Sequence, residues 1–257
     1  MIVKTETLSI QGVEVPVTRQ GSGKPLFLLH GGGGPVSALP FAAKLAEQFE
    51  IIEPTHPGFN GTAVPDHFDG MPDLVFAYLD IIDALKLEDA VILGISMGGW
   101  LAAELCVLPQ MPFSKLIMVD AVGVRTGPPT KRNIADIFAL PGPELAKAMW
   151  HDPTRAPNPM DMTDEQATIA AGNRIALALY GWEPFLHNPK LPNRLHRIRI
   201  PTRFIWGESD GLVTIEYGKT YADMIDGADF VTIPEAGHSP QAEQPELFVK
   251  HVVDFAG

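Results

Sequence analysis

The chain has 257 residues, 46% apolar and 19% charged, which is enough to bury a substantial core and favours one large α/β domain over two small ones. Its 19 Lys and Arg stand against 31 Asp and Glu, a formal net charge of −12, and nucleic acid is excluded as a partner because backbone binding relies on clustered positive charge. A single cysteine, Cys106, excludes an intrachain disulfide framework, no run approaches the roughly 18 apolar residues that span a bilayer, and the first ten residues lack the apolar stretch of a signal peptide, so the expected compartment is the cytoplasm.

In chain order, Thr7-Leu8-Ser9-Ile10 and Val13-Glu14-Val15-Pro16-Val17 read as a hairpin turning at Gln11-Gly12, with Pro16 placing the second strand near an edge. The continuous apolar run Pro25-Leu26-Phe27-Leu28-Leu29 is expected for a strand covered on both faces. It leads into His30-Gly31-Gly32-Gly33-Gly34. A helix over residues 36–48, a short strand at Ile51-Ile52 and the turn-rich Pro54-Thr55-His56-Pro57-Gly58 follow. Asn60-Gly61-Thr62 spells a glycosylation acceptor but reads as a turn.

Leu74, Val75, Tyr78, Leu79, Ile81, Ile82 and Leu85 recur at helical spacing over 72–85, a strand follows over 89–95, and the next helix covers 97–108. Residues 115–119, 203–206 and 230–233 are further buried-strand candidates. Such alternation predicts a mostly parallel, doubly wound β-sheet with helices on both faces. The rhythm breaks over 125–196, where Pro128, Pro129, Pro141, Pro143, Pro153, Pro157 and Pro159 accompany helical patches such as 167–180. This segment is expected to be a helical cap inserted into a core formed by residues 1–124 and 197–257.

Sites in open parallel sheets form beyond the carboxyl ends of the strands, and three suggestive groups fall there. Gly94-Ile95-Ser96-Met97-Gly98 has the pattern of a nucleophile elbow, in which small residues two before and two after the serine permit a sharp turn that lifts the hydroxyl out of the sheet. A serine is a weak nucleophile without a base. Of the eight histidines, His238 suits, in the loop Ala236-Gly237-His238 after the last strand. Asp210, after the 203–206 strand, completes the order serine, acid, histidine, and Asp120 is the competing acid. The glycines after His30 let backbone amides turn toward a developing oxyanion, so Gly32, Gly33 and Met97 are the expected donors. His30 is expected to be a buried structural histidine. No phosphate-loop pattern, metal-ligand cluster or cofactor motif accompanies them.

Through Leu29-His30-Gly31-Gly32, Pro57-Gly58-Phe59, Gly94-Ile95-Ser96-Met97-Gly98-Gly99, Trp206-Gly207-Glu208-Ser209-Asp210 and Ala236-Gly237-His238, the chain resembles the α/β-hydrolase superfamily over nearly its whole length. The resemblance implies Ser96 as nucleophile, His238 as general base, Asp210 as orienting acid, and a helical cap after the sixth strand. Many relatives carry Asp before the Pro-Gly turn and Gly-x-Ser after it. This chain instead has Thr55-His56-Pro57-Gly58-Phe59-Asn60-Gly61-Thr62, and His56 is expected to brace the loop.

The leading expectation is a serine hydrolase cleaving a small hydrophobic carboxylic ester or lactone through an acyl-enzyme. The alternatives are carbon–carbon bond hydrolysis of a ring-cleavage product and a low-turnover small-ligand receptor of the same fold. Phe138, Trp150, Tyr180 and Trp182 are the expected substrate-binding residues, supplied by the cap. Arg125, Arg132 and Arg174 are candidates for a substrate carboxylate, with solvated positions as the default.

Overall fold

The structure is a computed structural model that describes residues 3–128, 130 and 133–257. Eight strands form one sheet: β1 (Val3–Ile10), β2 (Val13–Gly21), β3 (Lys24–Leu29), β4 (Phe49–Pro54), β5 (Ala90–Ile95), β6 (Phe113–Val119), β7 (Thr202–Gly207) and β8 (Asp229–Ile233). Their spatial order is β1-β2-β4-β3-β5-β6-β7-β8. The first two pairings, β1 with β2 and β2 with β4, are antiparallel, and all others are parallel.

The apolar runs of β3 and β5 are continuous because both faces of the sheet are covered. Phe27, Leu29 and Ile92 point to one side, into a core shared with Leu74, Tyr78 and Ile81 of α2 (Met71–Leu85) and Leu101 and Leu105 of α3 (Met97–Cys106). Leu26, Leu28, Val91 and Leu93 point to the other, where they meet Phe41 and Leu45 of α1 (Pro40–Leu45) and Phe248 and Val252 of α8 (Pro245–Ala256). The period-2 alternation of a strand thus divides one run of sequence between two cores. α6 (Ile215–Ala222) joins the first core through Tyr217 and Tyr221, and α7 (Pro240–Glu243) is a single turn before α8.

One expectation changes. The helix expected over 36–48 is confined to Pro40–Leu45, since Pro40 opens it at the first position, where a missing N–H costs nothing. The second strand lies near an edge as expected, one strand in, with β1 outside it. Pro16 is accommodated at the end of the β2–β4 ladder, whose last paired residues are Val17 and Pro54, and its carbonyl accepts the Thr55 N–H at 2.8 Å.

Between β6 and β7 the chain leaves the sheet and forms α4 (Gly142–Met149) and α5 (Asp164–Gly181), with single 3₁₀ turns at Pro153–Arg155, Pro159–Asp161, Leu191–Asn193 and Leu195–Arg197. α5 starts at a capping box in which Thr163 and Gln166 satisfy each other's backbone N–H groups. Its far end is tied down by the Tyr180 hydroxyl, which donates to the Pro57 carbonyl at 2.9 Å. Among the described residues no helix is long and apolar enough to cross a membrane.

Candidate active site

Ser96 stands between β5 and α3 with φ 52° and ψ −112°, a left-handed backbone that non-glycine residues rarely adopt. The turn is held by the Ser96 N–H on the Val119 carbonyl at 2.8 Å and by the N–H groups of Gly99, Trp100 and Val122 on the Ser96 carbonyl. It closes only because its flanks lack side chains. A Cβ on Gly94 would run into the Gly98 carbonyl, and one on Gly98 into the carbonyls of Leu29 and His30.

The loop after β8 brings His238 to the serine. Its Nε2 lies 3.0 Å from Ser96 Oγ and its Nδ1 lies 2.8 Å from Asp210 Oδ2. With a carboxylate on Nδ1, the ring carries its proton there and presents Nε2 as acceptor to the hydroxyl. Asp210 comes from the turn after β7, and its Oδ1 accepts the N–H groups of Leu212 and Val213, each at 2.8 Å. Asp210 and His238 are buried and Ser96 is half-buried, so a bound substrate reaches the hydroxyl with little water around the imidazole. The competing acid Asp120 also reaches this region, but His238 bonds to Asp210.

The glycine loop after β3 lies against the serine, close enough that a Cβ on Gly31 would stand 3.2 Å from Ser96 Cβ. Met97 is the first residue of α3, where helix geometry leaves backbone N–H groups without intrahelical acceptors. Gly32, Gly33 and Ser96 line one cavity, with the Met97 amide immediately after the serine. Asn173 of α5 fixes the loop from above, its Nδ2 donating to the Gly33 carbonyl at 2.8 Å and its Oδ1 accepting the Asn60 N–H at 2.7 Å. No motif points to that residue, because its partners come from two distant turns.

Beneath the loop His30 and His56 stack with ring centroids 3.7 Å apart, both fully buried. His30 Nε2 accepts the His56 backbone N–H at 3.0 Å, leaving Nδ1 to donate to the Gly31 carbonyl at 2.8 Å. His56 Nε2 donates to the His30 carbonyl at 2.9 Å, so its Nδ1 accepts from the Tyr78 hydroxyl at 2.5 Å. Every ring nitrogen is committed with both rings neutral. Burial pushes His30 down to about 4, and burial together with His30 pushes His56 well below the ordinary histidine value. Both are braces under the loop.

A largely apolar cavity of about 470 Å³ opens onto Ser96 and His238. Val122, Ile137, Leu145, Met149, Leu177 and Leu212 form much of its wall, and the exposed Arg174 is also on its lining, with its guanidinium on the Ile137 carbonyl and over the Phe138 ring. The four aromatic residues expected there are elsewhere. Tyr180 is buried against Phe59 and held by Pro57, while Phe138 packs edge-on to Trp182, which is 60% exposed. Trp150 lies one residue beyond Met149, whose side of α4 faces the cavity instead. α4 ends at Met149 and Trp150 takes an extended backbone, so its ring does not continue the helix face that lines the cavity.

Arg125 lines a separate cavity of about 620 Å³ with Trp182 and Phe185, away from the serine, and Arg132 lies outside the described residues. Among the described residues no group of three or more His, Cys, Asp or Glu is arranged to hold a metal ion.

A sequence model of the alpha/beta hydrolase family matches residues 26–251. The chain is 27% identical over 261 residues to the 2-hydroxy-6-oxo-6-(2'-aminophenyl)hexa-2,4-dienoic acid hydrolase of Metapseudomonas resinovorans, spanning 95% of this chain and 88% of that protein. It is 25% identical over 268 residues to the 2-hydroxy-6-oxo-2,4-heptadienoate hydrolase of Pseudomonas putida, spanning 95% and 93%. In fold it is similar to the solved meta-cleavage product hydrolase from Pseudomonas fluorescens IP01, with a TM-score of 0.75 at 23% identity over 98% of this chain and 97% of that one. With its serine turn at the end of β5 and its eight-stranded, mostly parallel sheet, the chain belongs to the alpha/beta hydrolase family.

Proposed function

We propose that the protein is a carbon–carbon bond hydrolase acting on a 2-hydroxy-6-oxo-2,4-dienoate. The observation that carries this reading is that two relatives aligned over 95% of the chain are hydrolases of such compounds by name. It is favoured over the ester or lactone reading for that reason, although both use the same serine chemistry. The apolar cavity, with Arg174 among its lining residues, suits a conjugated chain that ends in a carboxylate.

The chemistry follows from the substrate. Moving the proton of the C2 enol to C5 leaves a C2 ketone, a C3–C4 double bond and a saturated C5 beside the C6 carbonyl. Ser96 then attacks C6 as His238 takes its proton, Asp210 holds the imidazolium, and the amides of Gly32, Gly33 and Met97 bind the oxyanion. Collapse breaks C5–C6, and the electron pair runs through the double bond into the C2 enolate, which recovers a proton. Water activated by His238 releases the acyl group from Ser96. The products are a 2-hydroxy-2,4-dienoate and a carboxylic acid, with one water consumed. Arg174, whose Nη2 donates to the Ile137 carbonyl, pairs with the substrate carboxylate, and residues 125–196 act as the cap that excludes bulk water.

The experiment is the bleaching of 2-hydroxy-6-oxo-2,4-heptadienoate by purified protein, beside a neutral nitrophenyl ester and a lactone. The wild type bleaches the dienoate, and Ser96→Ala loses at least about 10³-fold in turnover. Arg174→Leu lowers kcat/KM for the dienoate by about 10- to 100-fold, as loss of a charged hydrogen bond predicts, and spares the neutral ester. Hydrolysis of the ester with the dienoate left coloured restores the ester reading.

A further inference from the structure

Asp120 follows β6 beside the turn that carries Asp210, with φ 41° in the left-handed region and a side chain wholly enclosed. Its Oδ1 accepts the Gly207 N–H at 2.9 Å, whereas its Oδ2 is buried without a partner. Gly207 opens the turn that carries Asp210, whose N–H bonds to the Gly207 carbonyl at 3.2 Å, and the Asp210 carboxylate is the charged group that acts most strongly on Asp120. Ionised carboxylates only accept, so a bond between the two forms only when one of them carries a proton. Asp210 is the one provided for as an anion, with the N–H groups of Leu212 and Val213 on one oxygen and the His238 ring on the other. Asp120 has a single donor.

The charged and titratable groups facing Asp120 agree with this assignment. Asp210 approaches from the β7–α6 turn and Glu243 from α7, both acidic, with His238 beyond Asp210. Burial first, and the Asp210 charge second, hold the Asp120 carboxyl well above the usual carboxylate range.

We propose that Asp120 is held as a neutral carboxylic acid whose Oδ2–H donates to Asp210, making it a positioning residue for the Ser96–His238–Asp210 chain. The donated bond fixes the Asp210 carboxyl alongside its bonds to Leu212, Val213 and His238. It also draws charge away from the oxygen that faces His238, and so tempers how strongly Asp210 stabilises the imidazolium. The inference rests on the reading of Ser96, His238 and Asp210 as a catalytic triad, and is independent of which acyl compound they cleave.

An asparagine satisfies both of the bonds assigned to Asp120, its Oδ1 accepting from Gly207 and its Nδ2 donating to Asp210. The test is the rate at which a small fluorophosphonate labels Ser96 between about pH 5 and 9 in wild type, Asp120→Asn and Asp120→Ala. Asp120→Asn keeps the wild-type midpoint and a rate within about threefold, while Asp120→Ala, lacking the donor, shifts the midpoint upward. A fall of about one pH unit or more in Asp120→Asn, the mark of a lost neighbouring negative charge, overturns the proposal.

Infrared spectroscopy of wild-type protein made with 13C-labelled aspartate supplies a readout that needs no variant to fold and no turnover. A protonated aspartic acid band at neutral pH is expected, and its absence overturns the proposal. If wild type is not labelled at all, the triad reading fails by itself, and the infrared band still decides the state of Asp120.

Discussion

Gly98 shows how much of the site depends on atoms that are missing. Its Cα lies so close to the carbonyls of Leu29 and His30 that any Cβ there must displace β3 or the start of α3, both fully buried backbone. Gly98→Ala is expected to destabilise the fold by about 1–3 kcal/mol and to slow fluorophosphonate labelling of Ser96 by tenfold or more, read by urea unfolding and by mass spectrometry. At this scale the sequence was informative where chemistry demands a rare residue. The glycines around Ser96, the Gly31–Gly34 run and the order of Ser96, Asp210 and His238 all stood out before the chain was folded. The pocket lining did not, because Ile137, Leu145 and Leu177 are ordinary core residues and only their orientation distinguishes them from Phe138 or Trp150.

Among the elements, α4 does more than roof the cavity. Its last carbonyls bond to both histidine-side loops, Ala148 accepting the Gly211 N–H at 2.9 Å and Met149 the His238 N–H at 2.7 Å. Glu243 of α7 closes the arrangement with a buried carboxylate that accepts the N–H groups of Gly237 at 2.6 Å, His151 at 3.1 Å and Asp152 at 3.2 Å. The insert and the His238 loop therefore move together. In Glu243→Gln the amide nitrogen faces N–H groups that need an acceptor. The variant is expected to lose about 1–3 kcal/mol of stability and on the order of tenfold in Ser96 labelling, with faster hydrogen exchange at Gly237 and His151. Exchange unchanged at both amides would mean that α4 and the loop are held by something else. The sequence located the strands to within a few residues, since apolar runs are local. It did not locate this latch, because a glutamate in an acidic, helical C-terminal segment looks like any solvated one.

For the whole molecule, the two buried imidazoles under the glycine loop tie stability to pH. The folded-state values of His30 and His56 lie below those of the unfolded chain, so the unfolded state binds more protons and stability falls as pH drops from about 6.5 toward 4. With His30 at about 4, its share of the loss between pH 7.5 and 5 is about 2 kcal/mol. The raised Glu53 and Asp120 carboxyls oppose it by favouring the folded state at low pH. Urea unfolding at both pH values, with imidazole 15N shifts recorded alongside, checks this: stability lower at pH 5 while both rings stay neutral in the folded protein. Rings that protonate in the fold by pH 5 would refute the tautomers assigned from their hydrogen bonds.

What the sequence determined by itself was the alternation of strands and helices, the two-sided burial of the central strands and the serine turn. Each rests on periodicity or on a steric demand that operates within a few residues. Only the tertiary structure decided that Asn173 and Glu243 lock the loops, that Asp120 anchors the turn that carries Asp210, and which face of each insert helix meets the cavity. These depend on where residues far apart in the chain come to rest. A carboxylate or an amide carries no local mark of the partner it will meet, whereas a glycine that must admit a carbonyl does.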